Sequence, residues 1–548
     1  MPCSELQSVW EKSFFFLLFI LFFSFLFSLN LLASLSCRYL ALIGHLSLSL
    51  SLSHSHPHME NNTSKHPHVV LFAYPLQGHV IPAVHLAIKL ASKGITVTFV
   101  NTEAVHHQTV KSHAMEDDNI FKGVLQSGLD IRYVTINDCF PVEFDRSLNH
   151  DQFWESVIHD FPAHVDKLLA KLVLSNPPVN CLISDTFFEW TTNIAKKYNL
   201  VTVSFWTEPA LVFSLYYHLD LLNKNGHGHF TSHANPRQDT INYIPGVRAI
   251  EPKDLSSYLQ PSDYTSPIHR IIVKAFEKIK NADFILCNTV QELESETVSA
   301  LQEKQQIYSI GPIFPTGFTK SRVATSLWSE SDCIQWLSTR SRGSVLYVSF
   351  GSYAHASKRE IEEIANGLLL SKVGFIWVLR PDIVSSDEPE ILPVGFEDEI
   401  RDQEQGLIVP WCSQIEVISH PSIGGFITHC GWNSILESIW CNLPLLCFPL
   451  LTDQFTNRKL VVDDWRVGLN LCDQKPITKE EVAEKISRLM SGKSADELRR
   501  NVKEVRKALE GALAIGGSSY RNFDQFIDGV KAKVQEKTGF GFKNSEVS

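Results

Sequence analysis

The chain has 548 residues, 44% of them hydrophobic and 20% charged, so it is too long for one core and reads as two domains of a globular protein. A formal net charge of −11 disfavours nucleic acid and anionic membrane surfaces as partners, since both select a basic face. Eleven cysteines without a disulfide-like rhythm or any Cys-x-x-Cys pair fit a reducing compartment.

Residues 1–58 stand apart from the rest. No charge lies between Lys12 and Arg38, and the apolar run 14–33 is long enough by itself to span a bilayer. Leu46 to His58 (LSLSLSLSHSHPH), however, alternates two residue types, as an in-frame CT-dinucleotide repeat of an untranslated leader would. We therefore read 1–58 as a mis-extended segment outside the fold, with a start at Met59. A membrane anchor through residues 14–33, or a cleaved signal, is the alternative. The tract His54, His56, His58, His66, His68 is incidental, and the sequons at Asn61 and Asn62 matter only in the secretory pathway.

From His68 onward short β-branched runs alternate with helical stretches, which predicts parallel sheets with crossover helices. His68–Tyr74 is the first strand, with a loop at Leu76–His79, a helix over Pro82–Ala91 and a strand at Thr96–Val100. Cys181–Ser184, ending at Asp185, Val201–Phe205, ending at Trp206-Thr207, and Phe284–Asn288 are further strands. A polar stretch from Gly311 to Ser331 reads as a linker. The second half restarts with a strand at Ser344–Phe350 and a helix over Ser357–Ser371, followed by strands at Phe375–Leu379, Leu407–Val409, Gly425–Thr428 and Leu445–Phe448. A helical tail covers Thr478–Lys533. The domains are accordingly drawn as 59–311, a linker 312–331, and 332–548. Ligands of open parallel sheets sit beyond the carboxyl ends of the strands. His79, Asp185, Thr207, Ser352 and the turn Thr428–Ser434 all follow predicted strands.

The densest chemistry lies in the 44 positions Trp411–Gln454. The Trp411 indole can stack on a flat base. Thr428–Ser434 opens an amphipathic helix, and helix N-termini seat phosphate. Glu437, one turn in, can accept from both hydroxyls of a ribose. Asp453 and Gln454, after the next apolar strand, pair for sugar hydroxyls. Cys412, Cys430, Cys441 and Cys447 fall near His420 and His429, but their spacing fits no common zinc pattern and several sit in apolar elements. Taken alone, His79 is a loop histidine, Asp185 a helix N-cap, Trp411 a core residue and Glu437 a solvated carboxylate.

In its length and in the place of every polar anchor, Trp411–Gln454 resembles the signature box of the plant secondary-product glycosyltransferases, the family 1 UDP-glycosyltransferases. The resemblance implies an α/β protein of GT-B architecture, two Rossmann-like domains facing across a cleft: an acceptor-binding N-terminal domain and a UDP-sugar-binding C-terminal one. It also implies roles. His79, in Gln77-Gly78-His79, matches the catalytic base, and Asp185, in Ile183-Ser184-Asp185-Thr186, its partner carboxylate, in the logic of a Ser-His-Asp triad with the acceptor oxygen in place of serine. Trp411 would stack on uracil, with the Cys412 backbone and Gln414 nearby. His429, Asn433, Ser434 and Ser352 would hold the diphosphate, and Glu437 the ribose. Trp432, Asp453, Gln454 and Thr207 would hold the sugar. A closing Gln in this box goes with glucose donors. Ser413, Asn442 and the pair Trp440-Cys441 depart from the usual box and bear on loop shape only.

The expected reaction moves glucose from UDP-glucose, with inversion, to a hydroxyl of a small lipophilic plant metabolite of flavonoid or phenolic type. UDP-sugar is a co-substrate and no cofactor is implied. No Asp-x-Asp motif follows an early strand, so no metal is required, and helix N–H groups with His429 would meet the leaving-group charge. The expected protein is a cytoplasmic monomer. The alternative, a catalytically silent nucleotide-sugar-binding relative, is disfavoured by the presence of both His79 and Asp185. An oxidoreductase is disfavoured because no Gly-x-Gly-x-x-Gly follows either opening strand. The aromatic stretch Phe205–Tyr217 lines the acceptor pocket or belongs to the core.

Overall fold

Both halves of the chain fold around wholly parallel sheets. The structure is a computed structural model that describes residues 67–113, 119–228, 237–260, 266–314, 318, 323, 325–384 and 391–539. The expectations for residues 1–58, the apolar run 14–33 included, lie outside the described residues, as do the sequons at Asn61 and Asn62. Ser64–Ser548 forms one compact unit. No helix among the described residues is long and apolar enough to cross a membrane.

The first sheet contains β1 (His68–Phe72), β2 (Thr96–Thr102), β3 (Ile131–Ile136), β4 (Cys181–Asp185), β5 (Val201–Trp206), β6 (Phe284–Cys287) and β7 (Ile307–Ser309), in the order β3-β2-β1-β4-β5-β6-β7. The second contains β8 (Val345–Ser349), β9 (Gly374–Val378), β10 (Gly406–Val409), β11 (Ile423–Thr428), β12 (Leu445–Cys447) and β13 (Gly468–Asn470), in the order β10-β9-β8-β11-β12-β13. In each, the strand order reverses once, between β1 and β4 and between β8 and β11. Connections leave those two points in opposite directions and open a crevice beyond the strands' carboxyl ends.

Helices cover both faces, which is why the strands are continuous apolar runs. In β1, Val69 and Leu71 pack into one core and Val70 and Phe72 into another; in β8, Leu346 and Val348 split from Val345 and Tyr347 in the same way. The faces bearing Val70 and Val345 belong to one apolar cluster that runs from sheet to sheet.

Three findings differ from the sequence reading. The first helix spans Gln77–Ala91, with the Leu76 carbonyl accepting from His79 and Val80, so His79 stands in its first turn and not in a loop. Pro82 therefore lies inside the helix, where its missing N–H leaves the carbonyl four residues earlier, on Gly78, without its helical donor. Second, β3, β7 and β13 extend the sheets at their edges. Third, the last helix, Ser518–Thr538, lies on the first sheet although it ends the second half. Phe526 packs edge-on against Phe284 and Tyr308, and Asn522 Nδ2 donates to Ser309 O at 2.9 Å. The helix belongs to 332–548 in sequence and packs on the sheet of 59–311, a partner that hydrophobic periodicity does not reveal, since it gives an apolar stripe but not the sheet that covers it.

Candidate active site

A cavity of about 790 Å³ opens between the carboxyl ends of the two sheets. His79, Thr207, Ser352, Trp411, Cys412, Gln414, His429, Trp432, Asn433, Ser434, Glu437, Asp453 and Gln454 all line it. Asp185 stands behind His79, 3% exposed. Residues spread over more than 370 positions of sequence thus meet at one place.

At the first crevice, His79 follows β1 and Asp185 ends β4, two strands that are direct neighbours. His79 Nδ1 lies 2.7 Å from Asp185 Oδ2, with Thr207 Oγ1 3.0 Å from the same nitrogen. The other carboxylate oxygen, Asp185 Oδ1, accepts from Phe187 N at 3.0 Å, which fixes the plane of the group. An anionic acceptor at Nδ1 selects the tautomer protonated there and leaves Nε2 with its lone pair. Tyr74 and Phe187 pack tilted against the imidazole, at ring separations of 5.5 and 5.9 Å, and restrict its swing.

At the second crevice the chain leaves β8 through Gly351, held at φ 72° in the left-handed region that glycine tolerates best. A Cβ on Gly351 would fall 2.4 Å from His429 Nε2, and one on Gly431 2.5 Å from the same atom, so the imidazole fits only between two glycines. Burial, reinforced by the Arg380 charge, pushes the His429 pKa down to about 4, so the ring is neutral at physiological pH. Its buried Nδ1 has no hydrogen-bond partner. Beside it begins the helix Trp432–Trp440, with Gly431 as N-cap and no side chain capping it. The N–H groups of its first turn lack intrahelical acceptors and present partial positive charge to the cavity.

One turn on, Glu437 is buried, and burial lifts its carboxyl to about 7 against the opposing hydrogen bond from Gln414. Gln414 Nε2 donates to Glu437 Oε2 at 2.7 Å and to Ser434 Oγ at 3.0 Å, while its Oε1 accepts from Tyr347 at 3.3 Å. Trp411 stacks loosely on Trp328, at 6.4 Å and 29°. The Cys412 thiol is buried beside the Tyr347 hydroxyl, 3.6 Å away.

Several side chains expected on the ligand are already engaged. Trp432 Nε1 donates to Asn288 O at 2.7 Å, across to the first half, so its indole cannot also donate to a sugar. Asn433 Nδ2 donates to Gly78 O at 2.7 Å, the carbonyl that Pro82 leaves free, and so spans the cleft with its second Nδ2–H and its Oδ1 still open to a ligand. Both residues also offer a ligand backbone N–H groups of the first helical turn. Gln454 Oε1 accepts from the N–H groups of Leu450 and Leu451, both at 2.9 Å, leaving only Nε2 as a donor toward the cavity. Asp453 is bound by Thr452 Oγ1 at 2.6 Å and by Asn457 Nδ2, and burial raises its carboxyl above the ordinary range. Thr452, at φ 60°, is held by a reciprocal pair with Ser257, N to O at 2.9 Å and N to Oγ at 2.8 Å. That strained position aims Asp453 and Gln454 at the cavity.

Two contributors escaped the sequence reading. Arg380, 1% exposed at the end of β9, donates to the carbonyls of Gly351 and Ala354 and to Asp382, and so pins the loop that carries Ser352. An arginine closing an apolar strand on the ligand side of a sheet was the signal available. Trp328, in the stretch taken for a linker, was masked by its polar neighbours. Of the aromatic stretch Phe205–Tyr217, only Thr207, Glu208 and Tyr216 line the cavity, while Phe205 and Phe213 are core. No group of three or more His, Cys, Asp or Glu among the described residues could hold a metal ion.

Comparison with known proteins gives a consistent result. The model of the family described as UDP-glucoronosyl and UDP-glucosyl transferase matches residues 330–505. UDP-glycosyltransferase 86A1 of Arabidopsis thaliana is 59% identical over 485 residues, 87% of this chain and 97% of that protein. A Medicago truncatula glycosyltransferase solved with UDP-glucose superposes with a TM-score of 0.71 at 26% identity, covering 86% of this chain and all of its own. A Phytolacca americana one, solved with UDP-2fluoro-glucose and pterostilbene, gives 0.69 at 25%, covering 85% and 99%.

Proposed function

Because the chain belongs to the plant family 1 UDP-glycosyltransferases, transferases of GT-B fold, we propose that it moves glucose from UDP-glucose, with inversion, to a hydroxyl of a small lipophilic plant metabolite of flavonoid or phenolic type. The observation that carries this reading is the 2.7 Å contact between His79 and Asp185 in a cavity that the donor-side residues also line. A silent nucleotide-sugar binder has no use for a histidine so oriented. Trp154, Phe187, Tyr216, Tyr258 and Tyr353 give the cavity flat, apolar walls, which favour an aromatic acceptor.

In this mechanism the acceptor hydroxyl gives its proton to His79 Nε2 as its oxygen attacks C1 of the glucosyl group. The C1–O bond to the diphosphate breaks on the opposite face, and UDP leaves with the bonding pair. Asp185 keeps the ring in its tautomer and stabilises the imidazolium that forms. Charge developing on the diphosphate meets the N–H groups of the first turn of Trp432–Trp440, the Ser352 loop braced by Arg380, and neutral His429 as a donor, without a metal. Trp411 takes the uracil and Glu437 the ribose hydroxyls. The UDP-glucose of the Medicago structure and the paired ligands of the Phytolacca structure support this assignment of donor and acceptor.

The experiment is turnover of the purified protein with a panel of flavonoids and simple phenols, using UDP-glucose and UDP-galactose in turn. Transfer is expected with UDP-glucose in preference. The axial C4 hydroxyl of galactose leaves Gln454 Nε2 or Asp453 unpaired, a loss of about 1–3 kcal/mol. Equal efficiency with both donors refutes the donor assignment, and no transfer to any acceptor refutes the reaction.

A further inference from the structure

Among the described residues of the cavity, the carboxyls of Glu208, Glu330 and Glu416 have no task in the mechanism above, and of these Glu208 has a buried oxygen without a partner. Glu208 follows Thr207, the residue that touches His79, and lines the cavity. Its backbone is fixed, since its carbonyl accepts from the Cys287 thiol at 3.6 Å. A carboxylate just before the helix Ala210–Tyr217 would ordinarily cap it. Glu294 already fills that role, its two oxygens accepting from Ala210 N at 3.0 Å and Leu211 N at 2.7 Å. The Glu208 carboxyl is left over. Its Oε2 is buried without a hydrogen-bond partner, an arrangement that costs free energy unless a ligand completes it.

The surroundings define what that ligand group must be. Among the described residues lining the cavity none is Lys or Arg, whereas Glu208, Glu330, Glu416, Glu437 and Asp453 are acidic. Of the four histidines among these described wall residues, burial holds His85 near 4 and, with Arg380, His429 near 4, and lowers His113, while His79 is already paired with Asp185. Burial pushes Glu208 itself well above the usual carboxylate range, and Asp453 and Asp185 add to the shift, so the group is short of positive partners. Glu208 lies between Thr207, which touches His79, and the helix Ala210–Tyr217, whose Tyr216 shares the cavity wall with Tyr258, so the carboxyl stands at the aromatic, acceptor end.

We propose that Glu208 determines acceptor specificity: its carboxyl binds a hydrogen-bond-donating group, a hydroxyl or an ammonium, carried by the acceptor away from the reacting hydroxyl, and excludes acceptors that carry a carboxylate. The proposal rests on the transferase reading above. A carboxylate brought to this end finds no Lys or Arg to pair it, and burial there disfavours its ionised form as it does that of Glu208 and Asp453, whereas a donor completes the unpaired Oε2.

The test compares three phenols of one shape, tyramine, para-ethylphenol and para-hydroxyphenylpropanoate, with UDP-glucose and the wild type, Glu208→Gln and Glu208→Leu. In the wild type kcat/KM for tyramine exceeds that for the propanoate by at least about tenfold, the weight of one hydrogen bond to a charged group. Glu208→Gln narrows the ratio to about threefold or less and Glu208→Leu brings it near one, while KM for UDP-glucose moves less than about twofold. Neither variant melts below the wild type, since no hydrogen bond of the free protein is lost. An unchanged ratio in both variants overturns the proposal. So does a several-fold shift in KM for UDP-glucose with static acceptor ratios, which puts Glu208 on the donor sugar. A lower melting temperature with static ratios makes it structural. The affinities of the three phenols for His79→Ala protein loaded with UDP are measured in parallel, with and without Glu208→Gln. Absence of transfer then counts against the transferase reading, while these affinity ratios still decide the role of Glu208.

Discussion

In the proposed mechanism Glu437 joins burial to nucleotide recognition in a single side chain. Its carboxyl, lifted to about 7 by burial, is neutral below that pH and ionised above it. Only the ionised form offers acceptors to both ribose hydroxyls while still taking the Gln414 hydrogen bond. UDP affinity is therefore expected to rise as pH increases through 7, by several-fold to about tenfold between pH 6 and 8.5. In Glu437→Gln that component disappears, and whatever slope persists belongs to the nucleotide. Calorimetric titration at the two pH values decides it, and identical slopes for both proteins contradict the role given to Glu437. Roles at this scale were unevenly legible in the sequence. His79, Asp185 and Glu437 stand out as polar residues placed where the strand and helix pattern demands a ligand face. Glu208 and Arg380 do not, because a lone charge ending an apolar run looks alike whether it faces water, a backbone carbonyl or a cavity.

The elements of the cleft are tied to one another through backbone groups that side-chain reasoning overlooks. Pro82 takes a donor from the helix Gln77–Ala91, Gly78 keeps a free carbonyl, and Asn433 at the start of Trp432–Trp440 satisfies it. The sequence showed both the proline and the asparagine. It placed the helix start at Pro82, where proline is commonest, so the unpaired carbonyl and its partner across the cleft could not be seen. The strand ends that deliver His79, Asp185, Ser352 and His429 were legible because buried parallel strands are short, β-branched and bounded by polar turns. Edge strands β3, β7 and β13 are short or less apolar and escaped that criterion. Trp432 tests the same idea from the other side of the cleft. Trp432→Phe removes the donor to Asn288 O and should cost about 1–3 kcal/mol, lowering the melting temperature by a few degrees, with little change in KM for UDP-glucose. A large rise in KM with an unchanged melting temperature would instead place the indole on the sugar.

At the scale of the molecule the chain closes on itself, with its last helix returning to the first sheet. Phe523, Phe526, Ile527 and Val530 are buried there, at about 1.5–3 kcal/mol for each side chain. Together they rival the about 5–15 kcal/mol by which a domain is stable. A chain stopped after Gly517 is accordingly expected to lose cooperative thermal unfolding of the first half, read by circular dichroism. Retention of the wild-type transition would show the helix to be dispensable. Such closure is invisible to a sequence read in segments, whereas the two-sheet plan follows from the alternation of strand and helix. The proposed mechanism has the two sheets bring a histidine base to a bound UDP-sugar. It is tested most directly by single-turnover transfer from UDP-glucose in wild type and His79→Ala, with UDP affinity measured on the same samples. Loss of the base should slow transfer by about 10²–10⁴ while UDP affinity changes less than about twofold, because base and nucleotide sit on different sheets. Transfer by His79→Ala at more than about a third of the wild-type rate would contradict the account.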